Sequence, residues 1–354
     1  MTTRLDPVQL LKDLVAVPSV SGDEERVVDA VHRYAKAGGL PAERAGRNVV
    51  ISFGSGQGPR LLLNAHLDTV APVSRWETDP FTPVERDGRI TGLGANDDKG
   101  SVVAILCALA NLNQTGVPGN VVLALTVEEE RGGGEGLERL ITQLGKLDAA
   151  VIGEPTDLQI CRAQKGLLVL EVETTGVARH AAHAHRVTGP NAVVEAARAV
   201  LALDGWSPGP KHELLGAVTC QVTVIQGGST RNVVPDRCVV TLDVRTVPGS
   251  TTDGIVRAIE EKTKAKVKVV SDRLKPVETD EKSAIVQAAC RARPEASVVA
   301  SSTLSDAVWT RHLPTIKVGP GMTERSHTAG EYILVSELMG GVSFYERLVQ
   351  EYFQ

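Results

Sequence analysis

Acidic and imidazole side chains recur in this sequence just after apolar runs: His66 and Asp68, the triplet Glu128, Glu129 and Glu130, Glu154 and, more distantly, His327, with Asp97 and Asp98 at the entry to an apolar stretch. Imidazole and carboxylate without thiolate form the donor set of zinc, cobalt or manganese in catalytic sites, not of structural cysteine-rich zinc. Each feature alone has a plain reading. A His-x-Asp pair is ordinarily hydrogen-bonded, an acidic triplet is a solvated turn, and Asp before a helix is a cap. Gly153-Glu154-Pro155 is a surface turn and a lone histidine is a satisfied or an exposed one. Gathered in one place, so many carboxylates would repel one another and bind protons unless cations neutralised them, which points to metal chemistry.

The gathering depends on the elements that carry these residues. Short apolar runs at 61–63, 121–126, 149–152 and 315–318 are bounded by turn or charged residues and separated by helix-like segments, so they are expected to be buried parallel strands. Ligands of open α/β sheets collect at the carboxyl ends of such strands. The stretch 101–112 is apolar over most of a helical surface and should lie beneath the sheet, with Asp97 and Asp98 at its start. A first helix is expected after Asp6-Pro7 and before Pro18. From about Gly166 the pattern changes to strands at 168–173, 219–225, 238–245 and 267–270 around helices at 191–203 and 252–264, and it reverts near Lys275-Pro276. An inserted α+β domain, residues 167–274, is expected to interrupt a domain made of 1–166 and 275–354.

The bulk properties fit a two-domain enzyme. A chain of 354 residues is longer than one core usually serves, and 42% hydrophobic, 23% charged and 3% aromatic residues exclude a disordered or fibrous protein. A net charge of −5 without a basic stripe argues against nucleic acid and for a small-molecule partner. The five cysteines (Cys107, Cys161, Cys220, Cys238, Cys290) never form a CxxC pair and read as reduced thiols, hence a cytoplasmic address. Asp6, Lys12 and Asp13 interrupt the apolar stretch that a signal peptide would need, and no apolar run reaches membrane-span length.

His66-Leu67-Asp68-Thr69-Val70, Gly92-Leu93-Gly94-Ala95-Asn96-Asp97, Glu128-Glu129-Glu130, Gly153-Glu154-Pro155 and Ser326-His327-Thr328-Ala329-Gly330-Glu331-Tyr332, with Asn232-Val233-Val234-Pro235-Asp236 before Asp243-Val244-Arg245, together resemble a known family. It is the co-catalytic, M20-type peptidase and deacylase family of acetylornithine deacetylase, succinyl-diaminopimelate desuccinylase, aminoacylase and glutamate carboxypeptidase. The resemblance implies an α/β fold of the di-zinc exopeptidase type, a mixed sheet flanked by helices, with the inserted domain as a lid that forms a homodimer contact. It implies two divalent ions, zinc with cobalt or manganese as alternatives. Asp97 would bridge them, His66 and Glu154 would complete one, and Glu130 and His327 the other. Asp68 would orient His66, and Glu129 would be the general base taking the proton of the attacking water. The family's commoner Asp-Glu-Glu reads Glu128-Glu129-Glu130 here, and Asp98 stands where Met or Ala is frequent.

From the lid, the resemblance implies His180 as donor to the oxyanion across a dimer interface, with His183 and His185 the competing histidines of the same segment. Asn232, Arg245 and Lys165 would bind substrate. Glu154, where several dipeptidases carry Asp, favours removal of acyl groups from amino acids. The segments around Asn96, Asn232 and Lys317-Val318-Gly319-Pro320-Gly321 look most like acetylornithine deacetylases. The implied reaction releases acetate from N-acetylornithine, as in arginine biosynthesis. Succinyl-diaminopimelate, acetylcitrulline, acetyl-lysine (including its carrier adducts), and the dipeptides or peptides of a dipeptidase or carboxypeptidase of the family remain alternatives, since one methylene is worth only about 1–3 kcal/mol of discrimination. A non-catalytic binding protein on this fold would have lost some of these residues, and none is missing.

Overall fold

The computed structural model of this protein describes residues 5–54 and 57–354. Its first helix, Pro7–Val15, starts as the sequence dictates: Asp6 is the cap, its Oδ1 accepting the Val8 N–H at 3.0 Å, and Pro7 follows it. The four apolar runs form the strands Arg60–His66, Asn120–Thr126, Ala149–Ile152 and Thr315–Lys317. Arg60–His66 lies parallel between Asn120–Thr126 and Ala149–Ile152, and Thr315–Lys317 lies parallel to the latter. Burial on both faces explains why these strands read as unbroken apolar runs. Asn48–Phe53 and Ile160–Gln164 add antiparallel partners, making the sheet mixed.

Register positions the chemistry. His66 stands opposite Thr126 and Asn64 opposite Ile152, so three neighbouring strands end at one edge. The segments that follow them carry Asp68, Glu128 to Glu130 and Glu154. Helix Lys99–Thr115 packs beneath, buried from Lys99 through Ala110. Gly153 marks how tightly: a Cβ there would lie 2.8 Å from the Ser101 Cβ and 3.1 Å from the Asn64 carbonyl oxygen. Gly153→Ala is therefore expected to cost about 1–3 kcal/mol of stability, the usual penalty of overpacking. Urea unfolding checks this, and an unchanged midpoint would contradict the tight packing at the turn into Glu154.

The chain divides into two compact units. One runs up to Arg162 and resumes with Glu278–Val299 and Ser305–Gln354; the other is Ala163–Val277 with Ala300–Leu304. The second unit has its own core. Its sheet has the order Thr219–Gly227, Arg237–Thr246, Gly166–Thr175, Lys266–Leu274, all antiparallel. Gly166–Thr175 alternates buried and half-buried residues, the period-two pattern of a sheet covered on one face. Helices Ala192–Leu203 and Thr252–Thr263 supply that cover through Ala192, Ala196, Leu203, Ile255 and Ile259. Among the described residues no helix is long and apolar enough to cross a membrane.

Candidate metal centre

His66 ends its strand with the imidazole buried. Its Nδ1 lies 3.0 Å from the carbonyl oxygen of Asp68, which can only accept, so Nδ1 carries the proton in the neutral ring and Nε2 presents a lone pair. Nε2 faces Asp97 Oδ1 at 3.2 Å. The other Asp97 oxygen, Oδ2, lies 3.5 Å from His327 Nε2, so one carboxylate sits between two imidazoles. His327 also meets Glu130 Oε1 at 2.9 Å. Asp98 is the residue before helix Lys99–Thr115, but its side chain makes no cap bond; Oδ2 instead accepts the His66 N–H at 3.3 Å. The Asp97–Asp98 peptide bond is cis.

Asp68 ties these segments together. Its Oδ1 accepts the Glu129 N–H at 3.1 Å, and Oδ2 accepts the Glu130 N–H at 3.2 Å and the Ser21 hydroxyl at 2.6 Å. The carboxylate beside the imidazole thus also fixes the backbone of the acidic triplet. Glu128 turns away from this group: its carboxylate takes Arg47 at 2.7 Å and Arg131 at 2.6 Å. Glu128 and His327 both adopt the left-handed backbone conformation, φ 63° and 60°, a strain of about 1–2 kcal/mol each for a residue with a Cβ. Surrounding bonds must hold that strain in place.

Burial and the crowding of acids set the electrostatics of the cluster. Burial, then the charges of Glu154 and nearby acids, pushes Glu129 well above the usual carboxyl range. Burial lifts Glu154 to about 8 and Asp306 to about 7, and raises Asp98 well above its ordinary value. His66 is also raised, but against its burial: burial opposes its charge, yet the bonds to Asp68 and Asp97 outweigh it and hold the imidazole well above its usual pKa. The bond to Glu130 raises His327 to about 9. Acids crowded and buried in this way are favoured in their charged form by neighbouring positive charge. Donor atoms of His66, Asp97 and Glu130 all lie within 4.8 Å of one another, as do those of His66, Glu129 and Glu154. Each group combines carboxylate oxygen with imidazole nitrogen, the donor chemistry of a divalent cation, and the two groups meet at His66.

The residues expected from the inserted segment belong to the second unit. His180 is exposed, its Nδ1 accepting the Ala182 N–H at 3.1 Å, in a short ladder that pairs it with Val233 beside Asn232. The His183 ring lies tilted against that of His180, centroids 5.4 Å apart, and His185 contacts Arg186. Arg245 is engaged by Asp243 through two bonds, 2.8 and 3.1 Å, and buried Lys165 donates to the Ala217 carbonyl at 2.7 Å. Both cations are therefore committed within their own unit in this structure.

Some residues of the centre carried no assigned role in the sequence. Glu331 stood in the quoted Ser326 to Tyr332 segment, and its Oε1 accepts the N–H groups of both Asn96 and Asp97 at 2.9 Å. Ser21 precedes the first strands with no pattern to mark it. Asp306, buried, accepts the Thr126 hydroxyl at 3.1 Å; its signal was only an acid inside an apolar stretch.

Residues 62–351 match the sequence model of peptidase family M20/M25/M40. The chain is 30% identical to an acetylornithine deacetylase of Myxococcus xanthus, with 93% of each chain covered. It is 28% identical to a succinyl-diaminopimelate desuccinylase of Cereibacter sphaeroides, covering 99% of each. A Bacillus subtilis dinuclear metal-binding peptidase from the M20 family has the same fold, with a TM-score of 0.74 at 17% identity, covering 97% of this chain and 96% of that one. Matched over most of its length, the chain belongs to peptidase family M20/M25/M40.

Proposed function

We propose that this metal-dependent hydrolase of amide bonds removes the acyl group from an N-acyl amino acid, with N-acetylornithine as the substrate and ornithine and acetate as the products. The observation that carries the reading is the arrangement around Glu129: its carboxyl group converges with donor atoms of His66 and Glu154, beside the group formed by His66, Asp97 and Glu130, and its backbone is held by Asp68. His66, Asp97 and Glu154 would hold one divalent ion and Asp97, Glu130 and His327 the other. When bound, such ions polarise the scissile carbonyl and acidify water. Glu129 takes the proton of the attacking water and returns it to the departing amine. Asp68 keeps His66 in the tautomer that offers Nε2, and holds Glu129 and Glu130 in register. Zinc suits the donor set, and cobalt or manganese would fit it as well. Substrate recognition by His180, Asn232, Arg245 and Lys165, pairing of two chains through the second unit, and a cytoplasmic address belong to the same reading.

The end-to-end similarity to the Myxococcus xanthus deacetylase supports the acetyl group, and the similarity to the desuccinylase favours N-succinyl-diaminopimelate as a second reading. A panel of N-acetyl and N-succinyl amino acids, with dipeptides, assayed on protein of measured metal content decides between them. The expected result is the highest kcat/KM on N-acetylornithine. A preference for succinyl-diaminopimelate moves the assignment to the second reading, and hydrolysis of dipeptides alone overturns deacylation.

A further inference from the structure

Two segments that carry opposite ends of the centre grip one another reciprocally. From the Asp97 side, the Asn96 side chain reaches into the segment before His327: Oδ1 accepts the Met322 N–H at 3.0 Å, and Nδ2 donates to the Met322 carbonyl at 3.0 Å and the Ser326 hydroxyl at 3.1 Å. From the other side, Glu331 reaches back, its Oε1 accepting the N–H groups of Asn96 and Asp97, while its carbonyl accepts the Gly92 N–H at 2.9 Å. Asn96 and Glu331 are both buried. Gly321 allows the contact: its φ is 82°, and a Cβ there would lie 2.3 Å from Asn96 Oδ1.

The geometry points to Asn96 and Glu331 as a latch that sets the distance between Asp97 and His327, and thereby the affinity of the chain for the ion those two residues would share. The inference rests on the metal reading above. Neither latch side chain is among the proposed ligands, so each acts as a positioning residue. Asp97 gains its place through its own backbone N–H, and His327, strained at positive φ, is held from both flanks, by Ser326 before it and Glu331 after it. Partners that orient a ligand without touching the ion typically change metal affinity by about 10–100-fold.

The test is metal uptake by the full chain, stripped of ions and titrated with Zn2+ against a chelating indicator, with His327→Ala as reference. Asn96→Ala and Glu331→Ala are each expected to weaken the ion shared by Asp97 and His327 by about 10–100-fold, and the other ion, which Asp97 also holds, by less. The double variant should fall little further than the single ones, because both groups hold the same two segments. Glu331→Gln keeps an acceptor oxygen and should bind near the level of the unaltered chain. If His327→Ala loses one ion while both alanine variants keep original affinity, or if their effects simply sum, the latch is overturned alone. If His327→Ala still takes up two ions, the ligand assignment falls with it. A melt of the metal-free proteins separates folding from binding. Should Asn96→Ala not fold, Asn96→Ser shortens the side chain that reaches Met322, and unchanged uptake there overturns the latch.

Discussion

Glu129→Gln is expected to lower kcat by about 10²–10⁴-fold, the range a well-placed general base contributes, while the protein keeps its metal content. The substitution is nearly isosteric and removes only proton-accepting capacity. Two features of the structure argue for metal content being spared. The Glu129 backbone is fixed by Asp68 through its N–H, which the amide variant retains. The triad of His66, Asp97 and Glu130 does not include the Glu129 side chain. Its carboxylate does lie near His66 and Glu154, where a base must stand to reach water beside an ion. Single-turnover assays and metal analysis on the same preparation make the check. A variant that loses one ion would show Glu129 to be a ligand, and one with unchanged kcat would remove it from the proton transfer altogether.

That a base could be singled out from sequence at all came from the likeness of several segments taken together; the residues themselves left three glutamates in a row undistinguished. The structure separates them by their partners: Glu128 faces two arginines, Glu130 faces His327, and Glu129 faces Glu154 and His66. Such partners lie far away in sequence, Arg47 being 81 residues before Glu128, so no local pattern reveals them. The parallel strands were legible because burial on both faces leaves a continuous apolar run. In the second unit, strands and helices were legible because one covered face imposes a period. What the sequence could not show is the crossing of bonds between segments. Asp68 reads locally as the companion of His66, yet it also holds the Glu129 and Glu130 backbones. Arg245 reads as an available guanidinium, yet Asp243, two residues away on the same face of its strand, engages it.

Asp97→Asn is expected to reduce uptake from two divalent ions per chain to one or none, and to weaken each by at least about 100-fold, the upper end of what losing a mere supporting partner costs. The reasoning turns on the two carboxylate oxygens. One lies 3.2 Å from His66 Nε2 and the other 3.5 Å from His327 Nε2, so each is placed to share an ion with a different imidazole. An amide of the same shape offers one oxygen and one NH2 group; it can serve one side only, and it turns a donor toward the other. It also removes a negative charge from the pair of cations at the point where both would feel it most strongly. Asp98→Asn is the natural contrast. Asp98 is the neighbouring carboxylate, buried more deeply still, but its oxygen accepts the backbone N–H of His66. Metal analysis after dialysis, run on both variants, should separate them, with Asp98→Asn keeping two ions. Two ions at original affinity in Asp97→Asn would mean that the cations do not meet at this carboxylate. The two histidines would then belong to separate sites, with no shared ligand to hold a pair of ions close enough to act on one carbonyl.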